Sequence, residues 1–170
     1  MGSLHAEITR YVPRMSDHHA TISWQGSATA EEFGRGKYSR EHTWAFDGGV
    51  TIRASPSPSV VPAPWSNPAH VDPEEAFVAS IASCHMLTFL YLAAKQGLVP
   101  TSYRDAAVGV MTKGTNGVPW ISKVTLHPEL AFAGDKQPTA AELVALHHHA
   151  HEQCFISNSV KTEIVVAATS

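Results

Sequence analysis

Hydrophobic and polar positions alternate near the start of the chain, and this alternation predicts a small antiparallel sheet. Residues 19–24 place Ala, Ile and Trp between polar residues, as a half-buried strand does. Residues 37–46 continue the pattern and end at Asp47-Gly48-Gly49, a turn sequence typical of hairpins. Residues 50–54 then form the returning strand. Residues 1–17 lack any such pattern, so we expect an irregular segment there.

A proline-rich loop over residues 55–72 separates this sheet from a long helix. Asp72 is predicted to cap the helix, and Pro73 suits its first position. Glu75 follows the cap by three residues, as in a capping box. The helix is expected to run to Gln96 and to stop at Gly97.

The body of this helix, residues 76–94, is apolar on nearly every face. Such a helix lies in the middle of a core or an interface. It is long enough to span a membrane, at ~20 residues. Polar residues interrupt it, however, so we expect no membrane span; they are Ser80, Ser83, His85 and Thr88. A single chain with few helices has little to cover every face, and a second copy related by a two-fold axis is the simplest cover. The pattern therefore predicts a homodimer.

The second half of the chain adds strands and one more helix. Residues 106–112 and 121–130 read as strands joined by a glycine-containing turn. Thr139 is predicted to cap a helix that runs to about Gln153, and residues 160–167 form a final strand. Strands, a long buried helix, strands, a helix and a strand predict a single α+β domain over residues 1–170.

Composition narrows the function classes. The net charge is −3 without long basic runs, so nucleic acid is not an expected partner. The first residues lack the pattern of a secretory signal, and we expect a cytoplasmic protein. Cys84 and Cys154 are the two cysteines, 70 positions apart, which is too few for a disulfide scaffold. Each is either a small buried hydrophobe or a reactive thiol.

A reactive Cys84 needs a nearby cation, because an apolar environment raises the pKa of a thiol. Arg35 and Arg40 are the upstream candidates, and either is equally consistent with a solvated surface arginine. A buried arginine would need a carboxylate beside it, which Glu74 could supply. Glu74 is also explained by its favourable position near a helix N-terminus.

Two other functions stay open. His147 and His151 share a helix face at i and i+4, and Cys154 follows three positions later, so these three residues are candidate zinc ligands. An HExxH motif is absent, and exposed histidines on helices are usually solvated. The other alternative is a binding module without catalysis.

Two cysteine motifs give the chain a resemblance to a known family. Asp-Pro-Glu-Glu-Ala-Phe at 72–77 and Ala-Ser-Cys-His-Met-Leu at 82–87 resemble the signature helix of the OsmC/Ohr family. These are osmotically inducible and organic-hydroperoxide-resistance proteins. Residues 150–159 resemble its second cysteine motif. The resemblance covers roughly residues 18–168 and implies the OsmC-like fold, with antiparallel sheets, a long buried central helix, a second helix and an intertwined homodimer.

The resemblance also implies a peroxiredoxin-like thiol peroxidase acting on organic hydroperoxides. Cys84 is then the peroxidatic and Cys154 the resolving cysteine, and an external dithiol reduces the disulfide between them. An Arg–Glu pair beside Cys84 is implied, with Glu74 as the carboxylate. Arg40 fits the arginine position better than Arg35 does. No metal, flavin or haem cofactor is implied.

Helix geometry sharpens the expectation of a dimer. Glu74 and Cys84 are ten positions apart, which is ~15 Å along a continuous helix. Glu74 therefore either approaches Cys84 of a second chain, or precedes the regular helix and folds back.

Overall fold

The computed structural model describes residues 16–167. The N-terminal sheet contains three antiparallel strands: β1 (Ala20–Trp24), β2 (His42–Phe46) and β3 (Thr51–Ala54). β2 lies in the middle, and Trp44 is opposite Ile22 on one side and Ile52 on the other. The predicted turn is confirmed by Gly49, whose φ of 85° favours glycine. The expected irregular segment lies outside the described residues except for its last two.

A short helix between the first two strands was not predicted. α1 (Ala30–Gly34) begins after Thr29, whose hydroxyl accepts the amide N–H of Glu32 while the Glu32 carboxylate accepts that of Thr29. This Thr-x-x-Glu sequence is a capping box, so the signal was present in the sequence.

The long helix α2 (Pro73–Lys95) is confirmed with its cap. The Asp72 carboxylate accepts the N–H of Glu75 at 2.7 Å, and Gly97 follows the end of the helix with a φ of 71°. As expected, the single chain covers only part of this helix. One stripe at intervals of four residues is fully buried, whereas Leu87 is 61% exposed.

Five strands and one helix complete the fold: β4 (Val99–Asp105), β5 (Val108–Lys113), β6 (Pro119–Leu126), β7 (Pro128–Ala133), α3 (Ala140–Gln153) and β8 (Glu163–Val166). β4 pairs with β7, and β5 pairs with β6, both antiparallel. β8 joins β6 in parallel. A short 3-10 helix, Ser157–Ser159, links α3 to β8.

The single strand predicted over residues 121–130 is wrong, because two strands occupy it. The two strands are separated by His127, whose amide N–H donates to the Asp105 carboxylate at 2.7 Å. This bond ends β6 and lets β7 pair with β4, a strand that the sequence did not predict.

The core lies where α2 packs on α3 and on the two C-terminal sheets. One cluster is built on Phe89, Ala93, Leu98, Leu146 and Ala150, and the other on Ile81, Val124 and Leu126. These layers give the α+β OsmC-like fold. They hold the middle of α2 against the end of α3, where both cysteines lie.

Candidate functional site

Cys84 and Cys154 meet between α2 and α3 as free thiols. Their side chains are hydrogen-bonded to each other. Cys84 is half-buried, and Cys154 is fully buried behind it. The two predicted thiols are therefore within contact distance although 70 residues separate them.

Backbone N–H groups after α3 point at the two sulfurs. The N–H of Ile156 donates to Cys84 Sγ at 3.5 Å, and the N–H of Ser157 donates to Cys154 Sγ at 3.5 Å. The Phe155 N–H adds a further bond to Cys84. Such donors stabilise negative charge on sulfur. We did not identify these groups from the sequence, because main-chain direction beyond a helix end is set by the turn that follows it.

Burial raises the pKa of the Cys84 thiol above its ordinary value, and the neighbouring Cys154 raises it further. The N–H groups of Ile156 and Phe155 oppose this effect without cancelling it. Within one chain, the Cys84 thiol is thus a weaker acid than an ordinary cysteine. An additional positive charge is required before it becomes a good nucleophile.

Neither candidate arginine supplies that charge within one chain. The Arg40 guanidinium donates to the carbonyls of Gly36 and Tyr38 at 3.2 and 3.0 Å and lies 4.0 Å over the Tyr38 ring. Arg35 pairs with Glu31 at 2.9 Å on the exposed side of α1. The roles of both arginines stay predictions.

Glu74 is the second residue of α2, so it does not precede the helix. It lines a cavity of about 600 Å³ beside the first half of α2 and β5. Among the ion pairs within residues 16–167, none involves Glu74. Its carboxylate is consequently separated from Cys84 of its own chain by ten helical positions, and its role stays a prediction.

A buried histidine pair adjoins the cysteines. His85 follows Cys84, and its Nε2 lies 3.0 Å from Nδ1 of His147 on α3. Phe89 stacks on the His147 ring with centroids 4.4 Å apart. Burial lowers the pKa of each histidine to about 4, and at His85 the neighbouring His147 contributes to the shift. The sequence did not predict this pair, since 62 positions separate its members.

The expected zinc ligands are not brought together. Cys154 faces Cys84 and the Ser157 N–H. Across residues 16–167, no group of three or more His, Cys, Asp or Glu side chains is arranged to hold a metal ion. The site that does form is a dithiol between two helices.

The long helix also has the length and composition of a membrane span. Its buried stripe, however, packs against α3 and the strands on one side, as the central helix of an α+β domain does. Fold and site together define an α+β protein with a paired-thiol centre at a helix–helix contact.

Comparison with known proteins identifies the family of the chain. Residues 66–169 match the family described as OsmC-like protein. The chain belongs to the OsmC-like family. In sequence, no curated protein matches it.

Solved structures agree with this placement. The chain is 52% identical to an OsmC-like protein of unknown function from Vibrio cholerae, with a TM-score of 0.85 over 90% of this chain and 99% of that one. An organic hydroperoxide resistance protein OsmC from Legionella pneumophila shares 14% identity and a TM-score of 0.69, over 93% of this chain and 100% of that one. An organic hydroperoxide resistance protein from Elizabethkingia anophelis gives 18% identity and a TM-score of 0.66, over 91% and 95% of the two chains. The last two show a shared fold.

Proposed function

We propose that this protein is a cytoplasmic thiol peroxidase that reduces organic hydroperoxides. The observation that carries the proposal is the contact between two free thiols, of which Cys84 is partly open to solvent and Cys154 is buried behind it. Membership of a family that contains organic hydroperoxide resistance proteins supports the substrate class.

In the first step, the Cys84 thiolate attacks the outer oxygen of ROOH. The O–O bond breaks, the sulfur becomes a sulfenic acid, and the alkoxide takes a proton to leave as ROH. The N–H groups of Phe155 and Ile156 hold negative charge on Cys84 before the attack. The peroxide is reduced by two electrons, and the sulfur is oxidised by two.

In the second step, the Cys154 sulfur attacks the sulfenic sulfur of Cys84. A disulfide forms, and the hydroxyl group leaves as water with the proton of the Cys154 thiol. The proximity of the two sulfurs, which accept the N–H groups of the adjacent residues Ile156 and Ser157, supports this step. An external dithiol then reduces the disulfide by exchange and is itself oxidised.

The active form in this proposal is a homodimer with sites shared between chains. Glu74 lies ~15 Å along α2 from Cys84, too far for an arginine held by Glu74 to reach it in the same chain. Arg40 has no carboxylate partner within the described chain. An antiparallel crossing of two α2 helices would bring Glu74 of one chain near Cys84 of the other, and an Arg40 side chain held by that Glu74 would complete the site. Exposed apolar residues on α2, such as Leu87, are consistent with such a contact.

The test is peroxide consumption with several dithiol donors. We expect a higher kcat/KM for cumene hydroperoxide than for hydrogen peroxide, because the exposed Leu87 and Phe155 lie within three residues of the two cysteines. Each buried methylene adds ~0.8 kcal/mol of binding. A preference for hydrogen peroxide would refute the substrate class. Binding of the organic peroxide without its consumption would instead establish the non-catalytic alternative.

A further inference from the structure

The proline-rich loop over residues 55–72 contacts the segment that carries Arg40. The backbone N–H of Arg40 donates to the carbonyl of Trp65, in this loop, at 3.1 Å. The carbonyl of Arg40 accepts a hydrogen bond from Nδ1 of His42 at 2.8 Å. Both main-chain polar groups of Arg40 therefore have a partner, and one of these partners belongs to the loop.

The next residue, Glu41, directs its carboxylate to the same loop. Oε2 of Glu41 accepts a hydrogen bond from Nδ2 of Asn67 at 3.1 Å and lies 3.2 Å from Nδ1 of His70. The His70 side chain is only 11% exposed, whereas the Glu41 side chain is 44% exposed. The loop thus supplies the more buried side of this contact, and the Glu41 carboxylate reaches it from the segment that carries Arg40.

The loop is itself held at its base. The N–H of Asn67 donates to the hydroxyl of the fully buried Ser55 at 2.8 Å. The N–H of Ser55 donates to the carbonyl of Val71 at 3.0 Å, which ties the two ends of the loop together. The bond from Asn67 to Glu41 therefore connects the neighbour of Arg40 to a closed loop that is anchored in the interior.

We propose that Glu41 is a positioning residue for Arg40 and acts through its contacts with the proline-rich loop. This role rests on the proposed function, in which the Arg40 guanidinium stabilises the Cys84 thiolate. The arginine side chain is long, so a small shift of its backbone moves the guanidinium further, and a misplacement of about 1 Å can lower a rate about 10²-fold. Exposed ion pairs add little to stability. Glu41 is therefore expected to act on the position of Arg40 rather than on the stability of the fold.

The test compares kcat/KM for cumene hydroperoxide in Glu41→Ala and Asn67→Ala, which remove the contact from its two sides. We expect each to lower kcat/KM by about tenfold, less than Arg40→Ala does, with an unchanged unfolding transition. In the Arg40→Ala background neither should cause a further loss, because the group that they position is absent. Glu129→Ala, which removes an exposed ion pair with Arg104, is the matched control and should keep the wild-type value.

The pH dependence of Cys84 alkylation by iodoacetamide gives a second readout that needs no peroxide. Glu41→Ala should move the profile to higher pH, as Arg40→Ala does, because the arginine no longer stabilises the thiolate. Direct loss of the Glu41 negative charge would instead move the profile to lower pH, and that result would overturn the proposal.

Wild-type kcat/KM in both Glu41→Ala and Asn67→Ala would overturn the positioning role and leave the proposed function standing. Equal losses with and without Arg40 would do the same, since Glu41 would then act independently of the arginine. Full activity in Arg40→Ala would overturn the positioning role as well. A wild-type protein that consumes no hydroperoxide would overturn both this role and the proposed function.

Discussion

The N-terminal sheet and the body formed by α2 and α3 differ in how much of their surface one chain buries. Every residue of β1 is exposed, whereas α2 and α3 contribute Ile81, Phe89, Leu146 and Cys154 to a fully buried interior. The body completes the thiol pair by itself. The sheet region carries Arg40 but brings it to neither Cys84 nor Glu74. One chain therefore builds the sulfur half of the proposed site, Cys84 and Cys154. In the proposed homodimer, the charged half, Arg40 and Glu74, depends on a second chain.

The largest effect is expected at the sulfur half. Cys84→Ser should reduce peroxide consumption to the uncatalysed background with the fold intact by circular dichroism, because no nucleophile remains. Cys154→Ser is the matched variant: it should react with one equivalent of peroxide and then stall without a resolving thiol. Mass spectrometry without reductant follows both. A Cys84→Ser variant that keeps its rate would remove the basis of the proposed function.

The charged half should show its dependence on a second chain when inactive variants are mixed. Arg40→Ala is expected to lower kcat/KM by about 10²–10³-fold, the usual loss of one stabilising charge. After subunit exchange with Cys84→Ser, a shared site restores activity, since one site of each heterodimer has both wild-type residues. Arg35→Ala, which removes only the exposed pair with Glu31, is the control and should change the rate little. No recovery on mixing would show that each chain builds its own site.

Truncation of a core side chain in the α2–α3 body should lower the stability of the fold. Phe89 is fully buried and stacks on His147. Phe89→Ala should therefore lower the free energy of unfolding by about 3–5 kcal/mol. Val144→Ala, at a position 61% exposed on α3, is expected to stay within about 0.5 kcal/mol. Urea unfolding measures both, and similar costs at the two positions would contradict the assigned core.

The smallest effect is a shift in the pH dependence of Cys84 alkylation. Burial and Cys154 raise the pKa of this thiol in the single chain. A thiol reacts as the thiolate, which forms above its pKa, so a raised pKa moves alkylation to higher pH. An arginine supplied by a second chain would move it back. We expect iodoacetamide to reach half its maximal rate at a lower pH in wild type than in Arg40→Ala. Coincident profiles would show that Arg40 does not act on the Cys84 sulfur.

Local signals in the sequence predicted most of the fold. The caps at Asp72 and Thr139 and the turn at Gly49 are interactions between residues two or three positions apart, and all three are confirmed. The strand β4 was missed because its pairing with β7 depends on residues about thirty positions away. The interruption between β6 and β7 at His127 depends on a hydrogen bond that its N–H donates to the Asp105 carboxylate, and it has no local signal in the sequence.

The candidate site shows the same difference between residues identified by local motifs and contacts made between distant segments. The two cysteine motifs identified Cys84 and Cys154, and their contact followed from the family resemblance. The His85–His147 bond joins two helices, so neither helix sequence alone reveals it. The partners of Arg40 are carbonyls of a loop whose path no periodic pattern defines.

The thiol contact has a consequence for chain entropy. Cys84 and Cys154 are 70 positions apart. A disulfide between them would close a loop that contains β4 to β7 and α3. A closed loop of this length reduces the conformational entropy of the unfolded chain, which raises the free energy of the unfolded state by roughly 4 kcal/mol. The oxidised protein would thus melt at a higher temperature than the reduced one. Each catalytic cycle would then pass between a tighter and a looser form of the same fold, and the melting temperature would report the redox state of the pair.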